Sequence, residues 1–209
     1  MSSYREVRYK FHKWRYEAGI LKKTSLIFVV AGFTGLAAQL RIELPFTPVP
    51  ITAQVFMVLF SAIILGRYGG ASQAVYVSLG AAGVPWFSGY MGGVSRILGV
   101  TGGYILGFVV AAALIGWLVD RYVGVRTLKM QMLLMTLGIG IIYALGALQL
   151  SLILRTDLAE TLALAVVPFI PLDIVKALAV AAVAAVWLPK QSYNGEIDAD
   201  RWRKRYRQE

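Results

Sequence analysis

The chain has 209 residues, of which 58% are hydrophobic and 15% are charged, and it contains no cysteine. A soluble domain carries roughly 25% charged residues, so this composition argues against an ordinary soluble enzyme, a disordered chain, a disulfide scaffold and a cysteine-ligated metal site. The formal net charge is +10, and the positions of the charged residues decide what that charge means.

Six apolar runs follow one another along the chain. A bilayer core is about 30 Å thick, so a spanning helix needs roughly 17 to 25 mostly apolar residues. The runs lack the alternation of strands, and an open sheet edge cannot lie in lipid. The sequence therefore predicts an all-α integral membrane protein with six transmembrane helices, the second one short and the sixth interrupted by two prolines. The runs cover residues 24–40, 51–66, 69–87, 102–119, 130–154 and 162–188.

Positive residues concentrate on one side of these predicted spans. Seventeen of the 21 Lys and Arg residues lie before the first run, in the turn after the second, in the loop after the fourth or in the tail. Cytoplasmic loops are enriched in such residues, so we predict that both termini are cytoplasmic and that the charge serves topology and contact with anionic lipid, not nucleic-acid binding. The predicted parts are a basic cytoplasmic segment (1–23), a membrane domain (24–188) and a polar cytoplasmic tail (189–209).

The N-terminal segment mixes cations with aromatic residues between Tyr4 and Lys23. This pattern fits either a helix lying on the membrane surface or an ordinary juxtamembrane anchor, and we favour the anchor. A signal peptide is the other alternative, but a charged lead of this length is too long for a typical signal.

The first run carries small residues that favour close helix packing. Ala31 and Gly35 are four positions apart with three residues between them, a small-xxx-small spacing that lets another helix approach closely. Docking of a partner and packing within the protein are equally compatible with it. The four small residues are Ala31, Gly32, Gly35 and Ala38.

Two ionisable residues fall inside a run, and such residues are functional candidates by default because they are costly in a membrane. Asp173 and Lys176 are three positions apart and share a helix face. Pro171 fits the first helical position, which puts Asp173 in the first turn, at the positive end of the helix dipole. The pair either binds a ligand that has both N–H donors and a carbonyl acceptor, or pairs only for structure.

Two loops on the predicted outer side have the composition of a ligand pocket, with aromatic walls and a few polar groups. The loop over 44–54 contains three prolines and ends at Gln54. The loop from Gly83 to Tyr104 holds seven glycines and one cation, Arg96, which could pair with a carboxylate. The alternative is a plain outer loop with interfacial aromatic residues. Further candidates for the pocket are Trp86, Tyr90, Gly92, Gly93 and Tyr104.

The sequence lacks motifs for nucleotide hydrolysis or other catalysis. The sequence has no G-x-x-x-x-G-K-[ST] phosphate loop, and its only histidine, His12, lies in the N-terminal segment. No histidine–carboxylate or paired-aspartate pattern occurs in the runs, which argues against an intramembrane hydrolase or a metalloenzyme. We predict no enzymatic activity, no metal and no cofactor.

Three stretches, 44–54 (LPFTPVPITAQ), 80–107 (GAAGVPWFSGYMGGVSRILGVTGGYILG) and 168–176 (PFIPLDIVK), resemble the BioY family in the right order. BioY proteins are the biotin-specific substrate-binding (S) components of energy-coupling factor (ECF) transporters. The resemblance covers about 24–188. It implies a six-helix bundle of the S-component type in the cell membrane and a biotin pocket that opens outward. It also implies a T component and two ATP-binding-cassette ATPases as partners.

The resemblance also implies roles for individual residues. Asp173 would accept from the ureido N–H groups of biotin, and Lys176 would donate to the ureido carbonyl or secure Asp173. Arg96 is the candidate for the valerate carboxylate, and the small residues of the first run would face the T component. Two other functions stay open: an S component for another vitamin, and a membrane scaffold subunit that binds no ligand.

Overall fold

The structure is a computed structural model that describes residues 2–206, and within that range it is mostly helical. The long helices are separated by short turns, a two-stranded hairpin and a loop that contains one short helix. The helices are α1 (Ser2–Glu17), α2 (Ile20–Gln39), α3 (Gln54–Leu65), α4 (Gly69–Ala81), α5 (Val94–Leu98), α6 (Gly102–Arg121), α7 (Leu128–Leu154), α8 (Leu158–Ala165), α9 (Ile170–Trp187) and α10 (Ala199–Tyr206), and the strands are β1 (Arg41–Ile42) and β2 (Ile51–Thr52).

Five segments of the described range are long and apolar enough to cross a membrane, where the sequence predicted six. The difference lies in 54–81, which qualifies as one segment although the chain reverses within it. Gly66 has φ +57° and ψ −132°, a conformation that glycine adopts without a steric penalty. After this turn α4 runs back along α3, since Gln54 Nε2 lies 2.7 Å from the hydroxyl of Tyr76. The predicted second and third spans are therefore the two arms of a hairpin, about 18 and 20 Å long at 1.5 Å per residue.

Both ends of the described chain lie at the same end of the bundle. A guanidinium nitrogen of Arg15 in α1 donates to the hydroxyl of Tyr193 at 3.0 Å, and Arg8 donates to the backbone carbonyl of Val186 near the end of α9. The described chain therefore starts and finishes on one face of the bundle.

Helix α6 lies at the centre of the packing, against α3, α4 and α7. Its side chains Ala111, Ala112 and Ile115 are fully buried. Close approach depends on small residues: a Cβ on Gly70 of α4 would lie 2.5 Å from the Cβ of Ala113, closer than two carbon atoms can pack. Small residues are the usual means of such packing in membrane helices.

The last predicted run is broken where its two prolines lie. Helix α8 ends at Ala165, a short 3₁₀ turn covers Val167–Phe169, and α9 begins at Ile170 with Pro171 in its first turn. Asp173 lies in that first turn, so the predicted placement at a helix N-terminus is confirmed.

The start of the polar tail is packed against the helices. Tyr193 and Glu196 are buried, and Asp198 accepts from the backbone N–H groups of Val123 and Gly124, both at 2.7 Å. These contacts join the tail to the turn between α6 and α7. Arg207, which we counted among the basic residues of the tail, lies outside the described residues.

Candidate functional site

A cavity of about 370 Å³ opens at the end of the bundle away from the termini. Helix α6 fixes this placement, because its first turn borders the cavity and its last turn reaches the buried cluster around Arg15. The volume falls in the range of small-molecule sites, about 300–1,000 Å³. The β1–β2 loop, the loop after α4 and the starts of α6 and α9 form the walls. The apolar lining includes Val49, Ile51, Val55, Phe87, Met91, Val100, Ile105, Phe108, Ile142 and Phe169.

The ion pair predicted on the last span borders this cavity. Asp173 is 3% exposed, and its two carboxylate oxygens accept from Lys176 Nζ at 2.6 Å and from the hydroxyl of Tyr143 at 2.8 Å. Lys176 also donates to the backbone carbonyl of Thr52 at 2.7 Å. The pair therefore ties α9 to α7 and to the end of the β1–β2 hairpin, and it presents a fixed acceptor beside a fixed donor.

Gln54 and Thr52 form a second polar group on the wall. Gln54 is buried at the start of α3, where its side-chain oxygen accepts from the Thr52 hydroxyl at 3.1 Å and its amide nitrogen donates to Tyr76. Each polar atom of this amide therefore has a protein partner. The contacts fit a residue that shapes the wall, with one amide N–H remaining for a ligand.

Arg96 lies in α5 and borders the same cavity. Its guanidinium has no hydrogen-bond or ion-pair partner among the described residues, although the residue is half-buried. Ser88 on the facing loop has its Oγ buried and likewise without a partner among them. A free cation and a free hydroxyl beside one cavity provide the donors that an anionic group of a ligand would need.

The loop that carries Ser88 is a tight turn. Phe87 and Met91 exchange two backbone hydrogen bonds of 2.9 and 3.3 Å, while Gly89 and Tyr90 adopt positive φ angles of +79° and +56°. Gln39 at the end of α2 holds the turn, donating to the backbone oxygen of Phe87 at 3.2 Å and accepting from the backbone N–H of Tyr90 at 2.9 Å. Two backbone hydrogen bonds and the Gln39 side chain therefore hold the turn.

Four of the predicted pocket residues do not line the cavity. Trp86 packs on Tyr76 and its indole N–H donates to the backbone oxygen of that residue at 2.9 Å. Tyr90 is 74% exposed. Gly93 precedes α5, and Gly92 borders an adjoining surface groove beside Arg96. The residues predicted to bind the ligand that do line the cavity are Asp173, Lys176, Arg96, Gln54 and Tyr104.

Tyr104 is held in place by its own hydrogen bond. Its hydroxyl donates to the backbone oxygen of Ala165 at 2.7 Å, and its ring covers Gly146, where a Cβ would lie 2.4 Å from a ring carbon. Just before it, a Cβ on Gly103 would lie 2.1 Å from the backbone oxygen of Leu145. The glycines of this loop therefore let α6 approach α7 closely, which brings Tyr104 to the cavity.

Sequence reasoning missed Tyr143, Thr52 and Ser88 as parts of the site. Tyr143 lies in the middle of an apolar run, and only packing against Asp173 gives it a role. Thr52 and Ser88 lie in the two loops that the sequence singled out, so polar residues within those loops were the available signal.

The small residues of the first span are mostly occupied by internal packing. Ala31 and Ala38 are fully buried, and a Cβ on Gly35 would lie 2.9 Å from the Cβ of Trp86. Of the four, Gly32 alone has open space around it. The exposed apolar side chains of α2 include Phe28, Val29, Phe33 and Leu36 instead.

A second buried polar cluster lies at the opposite end of the molecule, and the sequence did not predict it. Asp120 at the end of α6 accepts from Arg15 and from the backbone N–H of Arg67, the latter at 2.9 Å. Arg126 is fully buried, pairs with Glu196 at 2.6 Å and donates to the backbone oxygen of Pro189 at 3.1 Å. These pairs join α1, the α3–α4 turn, the α6–α7 turn and the tail.

His12 lies inside this cluster with no exposed surface. Its Nδ1 lies 2.8 Å from the backbone oxygen of Arg8, and its ring packs on Trp187 and Tyr193. Burial lowers the pKa of His12 to about 4, and the positive charges of Arg15 and Arg126 act in the same direction. The histidine is therefore neutral at physiological pH.

The fold and site together define a helical membrane protein that presents a small cavity, with a buried ion pair and a free cation on its walls, at one end of the bundle. The profile of the BioY family matches residues 8–191. The chain belongs to the BioY family.

Individual relatives agree with this assignment. The chain is 46% identical to the probable biotin transporter BioY of Methanothermobacter thermautotrophicus, over 68% of this chain and 98% of that protein. It is 40% identical to the biotin transporter BioY of Thermotoga maritima, over 71% of this chain and 86% of that one. A solved structure, the S-component for biotin from an ECF-type ABC transporter, superposes with a TM-score of 0.73 at 26% identity, covering 82% of this chain and 93% of the other.

Proposed function

We propose that this chain is the substrate-binding subunit of an ECF-type biotin transporter, which captures biotin and delivers it across the membrane together with partner subunits. The observation that carries the proposal is the Asp173–Lys176 pair on the wall of the cavity, in a chain of the BioY family. The relatives named as biotin transporters and the similar biotin S-component support it.

The ureido group of biotin has two N–H donors and one carbonyl acceptor, which the ion pair matches. In our proposal Asp173 accepts from the N–H groups and Lys176 donates to the carbonyl. Hydrogen bonds to charged groups contribute about 1.5–3 kcal/mol each. Tyr143 and the backbone oxygen of Thr52 support this recognition because they hold the carboxylate and the ammonium in place.

The carboxylate of biotin needs a cation, and Arg96 is the half-buried cation on the cavity wall that has no partner among the described residues. We propose that Arg96 pairs with this carboxylate and that the Ser88 hydroxyl donates to the same group. The apolar walls would cover the sulfur ring and the aliphatic chain. A cavity of about 370 Å³ suits a ligand of about 16 non-hydrogen atoms, at the small end of ligand-site sizes.

The orientation follows from the charges. The end of the molecule that carries both termini holds most of the Lys and Arg residues, and we propose that it faces the cytoplasm of the cell, with the protein in the plasma membrane. The cavity then opens outward. The α3–α4 hairpin would supply two of six passes through the membrane. We further propose that a T component and two ATP-binding-cassette ATPases energise the transport.

Equilibrium binding of labelled biotin to the purified protein in detergent tests the proposal, with riboflavin and thiamine as competitors. We expect saturable biotin binding that neither competitor displaces. Displacement by another vitamin would identify a different substrate, and a folded protein that binds none of the three would favour the scaffold function. Uptake by a strain that cannot make biotin and has no other importer then tests transport: deletion of this chain is expected to abolish growth at low biotin.

A further inference from the structure

Helix α1 carries an apolar stripe that the proposed transport function does not use. Tyr4, Val7, Phe11 and Trp14 follow one another at steps of three, four and three, which places them along one side of a helix. Tyr4, Val7 and Trp14 are 48%, 54% and 42% exposed. The buried His12 and Arg15, with their contacts to the cluster, lie on the adjacent side of α1.

Helix α1 adjoins two of the long apolar helices. Its last turn connects through Ala18 and Gly19 to the start of α2, where Ile20 and Leu21 are 75% and 80% exposed. Near its start, Arg8 donates to the backbone oxygen of Val186 at the end of α9. Both α2 and α9 belong to segments that can cross a membrane, so α1 lies next to the ends of two such segments.

One residue of the stripe contacts the end of α9. The ring of Phe11 packs on the ring of Trp187, with centroids 5.4 Å apart, and the neighbouring Val186 is 56% exposed on α9. Aromatic side chains are enriched at the membrane–water interface, where one end of the ring can lie in an apolar environment and the other in water. The stripe therefore continues the exposed apolar surface of the spans into the interface.

The charge of the segment matches an anionic surface. Residues 2–23 contain seven Lys and Arg residues and only two acidic residues. Those two, Glu6 and Glu17, form exposed ion pairs with Lys10 and Lys13 at 2.8 and 3.9 Å, and exposed pairs of this kind are weak. Arg5 is exposed and has no ion-pair partner among the described residues.

We propose that α1 is an interfacial helix that inserts the stripe of Tyr4, Val7, Phe11 and Trp14 into the headgroup region of an anionic lipid leaflet. Apolar insertion and attraction of the cations to anionic headgroups act together in such helices. The inference rests on the proposed membrane function for its setting, but not on the identity of the substrate. Docking of a protein on the stripe is the competing outcome.

Site-directed labelling is simple because the chain has no cysteine. A nitroxide on Val7→Cys probes the stripe, and a nitroxide on Glu17→Cys, an exposed position of the same helix, is the matched control. Both proteins are placed in vesicles of three parts phosphatidylcholine to one part phosphatidylglycerol. We expect the label at 7 to collide mainly with lipid-soluble oxygen and the label at 17 mainly with a water-soluble nickel chelate. Equal exposure of both labels to the chelate would overturn insertion and leave the stripe for a protein partner.

The lipid charge is tested with a fluorophore at position 7 and brominated quencher lipids. The measured quantity is the ratio of quenching by brominated phosphatidylglycerol to quenching by brominated phosphatidylcholine. This ratio is expected to be about two to five, because anionic lipid gathers around α1. Arg5→Gln combined with Lys13→Gln should bring the ratio towards one, and a ratio of one in the unsubstituted protein would overturn the anionic preference. Biotin binding is measured on the same samples. Since both leaflets have the same composition, neither the orientation nor a failure of biotin binding changes the lipid result.

Discussion

Replacement of Asp173 by asparagine removes the negative charge of the buried ion pair with little change in shape. In the folded protein the carboxylate accepts from Lys176 and Tyr143, and an asparagine can accept through one oxygen only. If the carboxylate also accepts from the ureido N–H groups, the variant loses a charge-assisted hydrogen bond of about 1.5–3 kcal/mol. At 1.4 kcal/mol per tenfold, the Kd for biotin rises by about 10- to 150-fold.

The assay is a titration of biotin into the purified protein in detergent, accompanied by a thermal unfolding curve. The unfolding curve is needed because the variant leaves the Lys176 ammonium with only the backbone oxygen of Thr52, and broken buried pairs cost up to about 3–5 kcal/mol. Glu160→Gln, which neutralises an exposed carboxylate in α8, is the matched control and should bind like the unsubstituted protein. Tyr143→Phe keeps the charge and should weaken binding by about fivefold.

The binding data can also contradict a contact between Asp173 and biotin. A folded Asp173→Asn protein that binds biotin within twofold of the unsubstituted protein would show that this carboxylate does not contact the ligand. The ion pair would then be a structural link between α7 and α9. An equal loss of binding in Asp173→Asn and Glu160→Gln would instead point to a general effect of charge on the preparation.

Three further predictions follow from the structure. Arg96→Gln should weaken binding of biotin by about tenfold or more but leave the binding of biotin methyl ester unchanged, because the ester lacks the charge that Arg96 pairs with. Equal losses for both ligands would show that Arg96 does not pair with the carboxylate of biotin. Gly103→Val should lower the unfolding temperature, since even a Cβ at this position would lie 2.1 Å from the backbone oxygen of Leu145; unchanged stability would show that α6 and α7 can separate freely. Burial of His12 should lower the free energy of unfolding by roughly 3 kcal/mol in all as the pH falls from about 6.5 to about 4. The reason is that the unfolded chain takes up a proton that the buried histidine, with its pKa of about 4, does not. Unfolding curves at several pH values should show that the stability of His12→Gln depends less on pH.

The sign of the His12 effect comes from proton uptake. Between the two pKa values the unfolded state binds more protons than the folded state, so the free energy of unfolding decreases as the pH falls through this window. Burial is the largest cause of the low folded pKa of His12. The backbone oxygen of Arg8 and the charge of Asp120 on α6 raise this pKa, whereas the charges of Arg15 and Arg126 lower it.

The class of the protein and the chemistry of the Asp173–Lys176 ion pair could be predicted from the sequence. Apolar runs of spanning length predict membrane helices because backbone polar groups must be satisfied inside lipid. Asp173 and Lys176 stood out because charge is costly there, and Pro171 fixed the helix start that puts them at its first turns. These are local or compositional effects, which need no knowledge of the packing.

Which other side chains contact Asp173 and Lys176 depends on how the helices pack. The tertiary structure brought Tyr143 from the middle of an apolar run to Asp173, turned Trp86 into a packing residue against Gly35, and joined Arg15 to Asp120 across 105 positions of sequence. It also ordered the start of the tail around Glu196. Each of these contacts links helices that are distant in the chain, and nothing in local spacing encodes which helix faces which. The sequence therefore predicts membrane helices and the one ion pair inside an apolar run, while the pairing of helices decides the walls of the cavity.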